Sequence, residues 1–190
     1  DGYTVTIYDG DDPSMPMWAV WTSNYFSDLA IYSISAVSML NGTFCVTRNS
    51  TSNFEGIALI DLIGDKVLGL RRFNYNHDHR GSNSARALKS EWFAGVQDDR
   101  GIINCPANDV AMTVLPDAPI DPATGLPIPT IAVATDGGVS VIKDDGTVVD
   151  ITGQTSGAHL VSFNDNNQVV FADKATFQND FWIKDIPTSD

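Results

Sequence analysis

The side chains most able to recognise another molecule sit together between positions 77 and 93. His77, His79, Arg80, Arg86, Trp92 and Phe93 bring two imidazoles, two guanidinium groups and two large aromatic rings into one short segment. Aromatic faces accept sugar rings, and a guanidinium offers paired donors to carboxylate or sulfate, so the chemistry expected of this cluster is recognition of an acidic glycan. The competing reading is a satellite core in which Trp92 and Phe93 pin the segment to the rest of the fold. His77 and His79 could turn two imidazoles toward a metal, but catalytic zinc takes three protein ligands and structural zinc four, and no later Cys or His spacing supplies the remainder. No metal and no cofactor is expected.

Reaction chemistry is harder to find. There is no Gly-x-Ser-x-Gly elbow, and neither Cys45 nor Cys105 has a base beside it in sequence. Glu55 and Glu91 are the only glutamates, which makes the usual acid of glycoside hydrolysis scarce, although the spacing of paired carboxylates is a tertiary quantity. The acidic clusters Asp9-Gly10-Asp11-Asp12 and Asp144-Asp145-Gly146 lack the alternating loop and terminal Glu of a calcium site, and are read as turns. Cys45 lies in an alternating apolar run, where a small buried thiol is expected. A protein without catalytic residues is the expectation, with a polysaccharide-cleaving enzyme as an alternative.

Charge narrows the partners. The chain of 190 residues carries a net charge of −13, which disfavours nucleic acid and anionic membrane surfaces. Seven of its eleven cations fall between Lys66 and Arg100, so any anionic partner is expected to meet that window. The longest apolar stretch, Ile57 to Leu70, is interrupted by Asp61, Asp65 and Lys66, which excludes a membrane-spanning helix there. A start at Asp1, with neither Met nor a leader, fits a piece of a longer chain.

The elements that must hold these residues are strands. Thr130 to Thr152 reads as three alternating apolar runs broken by Asp136-Gly137-Gly138 and Asp144-Asp145-Gly146, where Gly supplies the positive φ of tight turns. Ile34 to Leu40, the dipeptide Asn41-Gly42 and Thr43 to Thr47 predict a hairpin, continued by Ile57 to Ile63 and Val67 to Arg71. Laying Gly56–Leu70 beside Gly137–Ile151 repeats strand, turn and strand in the same order. The chain is thus expected to be all-β: consecutive four-stranded antiparallel meanders forming a partial β-propeller, with units at about 34–72 and 109–152 and partial ones at 1–33 and 159–190. Two segments break the pattern. Pro116 to Pro129 predicts a stiff extended loop, and 73–108 an inserted loop with one short helix over Ser84 to Ala94, because Ala85, Leu88 and Trp92 fall at helical spacing.

The run from Asn108 to Thr152 resembles the blade repeat of two-component-regulator-type propellers. The matching positions are Asn108, Val110, Ala134, Thr135, Asp136, Gly138 and Gly146; the large aromatic usual before the turn is lacking. That resemblance implies a sensing or binding propeller and transfers no catalytic residue. From Thr113 to Thr152, with its Asp121-Pro122-Ala123-Thr124-Gly125-Leu126-Pro127 loop, the sequence is also similar to virion proteins of marine tailed phages. This second resemblance implies a virion or extracellular tail or fibre component, whose partners are other virion subunits or the remaining blades, with a host-surface glycan as ligand. The alternative it leaves open is a secreted or periplasmic sensory propeller that binds a small acidic glycan.

Overall fold

A computed structural model describes residues 4–8, 10–15, 17–22, 34–49, 56–63, 66–71, 76–79, 92–96, 101–153, 157–173 and 180–189. The protein is all-β, and no helix occurs among the described residues. β1 (Thr4–Tyr8) and β2 (Met17–Thr22) pair as an antiparallel ribbon. A six-stranded head sheet follows in simple up-and-down order: β3 (Ile34–Leu40), β4 (Thr43–Arg48), β5 (Gly56–Asp61), β6 (Lys66–Arg71), β7 (Asn76–His79) and β8 (Trp92–Val96). The middle sheet is the meander β9 (Ala107–Thr113), β10 (Thr130–Thr135), β11 (Gly138–Ile142) and β12 (Val148–Ile151). The tail sheet holds β13 (Ala158–Phe163), β14 (Val169–Asp173) and β15 (Phe181–Lys184).

Turn chemistry sets these registers. Asn41 and Gly42 both adopt positive φ, 49° and 78°, which is what a two-residue hairpin turn matched to the strand twist requires. At the β10–β11 turn Thr135 Oγ1 donates to the Gly138 carbonyl (3.0 Å) and accepts from the Gly137 amide (3.1 Å). Gly138 has a φ of 132°, and a Cβ placed there would run into the Ile151 carbonyl oxygen of β12. The acidic clusters behave as turns: Asp12 accepts from the Ser14 amide, and Asp145 from the Thr147 amide and hydroxyl. The Thr147 hydroxyl and amide hold the Asp145 carboxyl below its ordinary range.

The middle sheet is buried on both faces. Ile131, Val133 and Ile142 join Cys45, Ile57, Leu70 and Ile102 in a cluster against the head sheet. Ala132, Ala134, Val139 and Val141 join Ala158, Val161, Val169 and Phe171 against the tail sheet. Successive residues of β10 therefore serve two different cores, which is why Ile131-Ala132-Val133-Ala134 is apolar throughout and not alternating with polar residues. Packing between sheets is densest where the first strands meet, β9 lying between β3 and β13, and thins toward the outer strands. Sheets that touch along their first strands and fan apart outward give a partial, open β-propeller. The fan gaps are filled from the connections: Ile102 enters the head-side cluster, and Ile186 packs onto the tail-side one. A crevice of about 160 Å³ between Leu59, Leu68, Leu70, Ile131 and Ile142 marks the remaining divergence.

Three sequence expectations need correction. The head unit is not a four-stranded meander: β7 and β8 add two strands from the segment 73–108 that was expected to be an inserted loop. The helix expected over Ser84 to Ala94 fails at its end, since Trp92, Phe93 and Ala94 run in β8; the part from Ser84 to Glu91 lies outside the described residues. Edge pairing with β7 decides the backbone of this stretch, because helical spacing of three apolar residues supplies little where an open strand edge offers a full row of hydrogen bonds. The proline-rich loop, finally, is a folded arm: Ile120 bridges Pro127, Ile128 N donates to Pro119 O (2.9 Å), and Asp121 caps the tip through the Ala123 and Gly125 amides.

Candidate functional site

Strands β7 and β8 bring four of the six recognition candidates together. His77 pairs in register with Gly69 and His79 with Val67, while across the other edge Trp92 stands opposite His79 and Phe93 opposite Asp78. Arg80 and Arg86 lie outside the described residues. These strands are the outermost of the head sheet, far from the first strands that hold the stack together.

The polar residues of the blade-like run do something else: they join sheets. Asn108 sits in the bulge of β9, where Ala107 pairs with Thr135 and Asp109 with Ala134. From there its amide nitrogen donates to the Ala158 carbonyl of the tail sheet (2.8 Å) and to Asp136 Oδ1 (2.9 Å), while its amide oxygen accepts from Asn49 Nδ2 of the head sheet (2.8 Å). One side chain thereby ties three sheets, and being buried it does so where hydrogen bonds are least exchanged with water. Asp109 adds a second brace by accepting from the Val161 amide (2.9 Å). Gly157, with a φ of 80°, lets the chain entering β13 run against the Asp136 backbone, where a Cβ would come within 2.6 Å. On the head side, Ser35 Oγ donates to the Ala107 carbonyl (2.5 Å) and meets Thr47 Oγ1 (2.8 Å).

A polar cleft of about 200 Å³ lies under the arm, with Asn41, Thr43, Asp61, Asp121 and Thr124 among its walls. Asn41 Nδ2 closes it at one end by donating to Pro127 O (2.8 Å). Its carboxylates and hydroxyls suit a hydroxylated small molecule, and it is smaller than the roughly 300–1,000 Å³ of drug-sized ligand sites. Cys45 and Cys105 are both buried free thiols, and burial pushes the Cys45 thiol far up. Among the described residues no group of three or more His, Cys, Asp or Glu is placed to hold a metal ion.

Sequence reasoning marked Asn108, Thr135 and Asp136 through the blade resemblance but could not see that their partners stand at positions 49 and 158. The fold and its joints define a class, an all-β stack of antiparallel meanders tied by buried polar side chains. No family model matches the chain, and no curated protein matches it.

Proposed function

We propose that the chain is a non-enzymatic component of a tailed-phage virion, part of a tail or fibre, serving assembly or host-surface binding. The observation that carries this reading is the use made of the conspicuous polar residues: Asn108, Asp109, Thr135, Asp136 and Ser35 hold sheets and turns in fixed relation, as a rigid assembly part requires. The phage-like phrase from Thr113 to Thr152 supports the same reading, and the arm within it projects Leu126 and Ile120 into solvent as a contact surface. In this reading the outer strands β7 and β8, which hold His77, His79, Trp92 and Phe93, meet a host-surface glycan.

The same pair of strands also favours the second reading, a secreted or periplasmic sensory propeller for a small acidic glycan. Mass spectrometry of the particle and cell-envelope fractions of a producing culture separates the two. Peptides of this chain are expected to co-purify with particles at a fixed ratio to other particle proteins; confinement to the envelope fraction of particle-free cells would overturn the virion reading.

A further inference from the structure

The cleft under the arm is built from two walls distant in sequence. Asn41 comes from the β3–β4 turn, and Thr43 and Asp61 are cross-strand partners at the start of β4 and the end of β5. Asp121 and Thr124 face them from the tip of the arm, and Ile128 and Pro129 from its return toward β10. Both walls are held in shape by their own hydrogen bonds. On the arm, Asp121 Oδ1 accepts from the Ala123 amide (3.0 Å), the Asp121 carbonyl from the Gly125 amide (2.8 Å), and Thr124 Oγ1 from the Leu126 amide (3.1 Å). On the head sheet, Asp61 Oδ1 accepts from the Ile63 amide (3.1 Å), and the Leu62 amide donates to the Gly42 carbonyl (2.9 Å). The bond from Asn41 Nδ2 to the Pro127 carbonyl then latches one wall to the other (2.8 Å). Walls set in this way lower the ordering cost of binding.

The lining selects the ligand. A carboxylate only accepts, so the partner must bring donors, and adjacent hydroxyls of a sugar ring bring them in pairs. Thr124, whose oxygen already accepts from a backbone amide, keeps its own hydrogen for a ring or hydroxyl oxygen. Ile128 and Pro129, which also wall the crevice between the head and middle sheets, give an apolar side for the C–H face of a ring. No Lys, Arg or His is among the walls, and the two carboxylates repel an acidic sugar. A volume of about 200 Å³, below the range of drug-sized sites, admits one ring. We propose that this cleft binds a single uncharged hexose unit, its hydroxyls donating to Asp61 and Asp121 and its ring lying against Ile128 and Pro129. The site differs from β7 and β8 both in its residues and in the charge of the sugar it takes. It does not rest on the virion reading, which the particle and envelope fractions test separately.

Saturation-transfer NMR titrations of the full chain with glucose, galactose, mannose and glucuronate test it. At least one of the three neutral hexoses is expected to bind with a Kd on the order of 1 mM, as suits so small a ligand, and glucuronate several-fold more weakly than that hexose. Asp61→Asn and Asp121→Asn keep an acceptor for the turn amides while removing the charge, and each should weaken hexose binding about tenfold with unchanged circular dichroism. The preference of the parent for neutral over acidic sugar needs no variant and stands even if one of these fails to fold. No neutral hexose bound more tightly than about 50 mM, glucuronate bound as well as the best hexose, or affinity unchanged in both Asn variants would each overturn the proposal, as would a cleft that takes calcium and no sugar.

Discussion

Asn108 carries more of the structure than any other polar residue described here, and the reason is its amide. A side chain that both donates and accepts can satisfy the Ala158 carbonyl, the Asp136 carboxylate and the Asn49 amide at once. Asn108→Ala strands buried partners on both neighbouring sheets and is expected to cost about 2–4 kcal/mol. Asn108→Asp keeps the shape but turns an acceptor toward the Ala158 carbonyl and the Asp136 carboxylate, so it should cost at least as much. Urea unfolding midpoints check both, and an Asp variant as stable as the parent would contradict the joint. The blade-like phrase singled out this residue in the sequence. Its role was not legible, because two of its three partners stand fifty and fifty-nine positions away, on other sheets.

At the scale of elements, local chemistry was readable wherever a turn demanded it. Asn41-Gly42, Asp136-Gly137-Gly138 and Asp144-Asp145-Gly146 each force a reversal through positive φ or a side-chain cap, and strands follow on both sides. β7 and β8 were missed because neither has such a signal: His77-Asp78-His79 does not alternate apolar and polar, and Trp92 falls in phase with Ala85 and Leu88 as if on a helix. Their pairing comes from the open edge of β6, a fact about a neighbour. That pairing gives the recognition hypothesis its most specific form. On an array of acidic glycans the parent is expected to bind; Trp92→Ala should lose most of the signal, since one ring stacked on a sugar is worth about 0.5–1.5 kcal/mol beyond its area, and Arg86→Ala should lose it through the missing paired donors to the acid group. Unchanged binding by both variants would remove Trp92 and Arg86 from consideration.

For the whole molecule, the physical claim is that no sheet is self-sufficient. A two-layer sandwich buries one face of each sheet and wets the other, and its strands alternate in polarity. Here β10 and β11 are buried throughout, and along each strand successive residues alternate between the head-side and tail-side cores. The apolar runs read as alternating in the sequence, and cover on their second side is seen only with both cores in place. What they could not show is how sheets that fan apart keep water out, which depends on Ile102 and Ile186 arriving from connections with no strand pattern.

The most direct measurement is the stability of two adjacent substitutions on one strand, Ala132→Asp and Val133→Asp, by urea unfolding. Ala132 is buried against the tail sheet and Val133 against the head sheet, so each variant places a charge in a different core. Each is expected to lose more than about 3 kcal/mol, the scale of an uncompensated buried charge. If either variant stays within about 0.5 kcal/mol of the parent, as exposed positions do, one face of the middle sheet is open to water and the stacked arrangement is wrong.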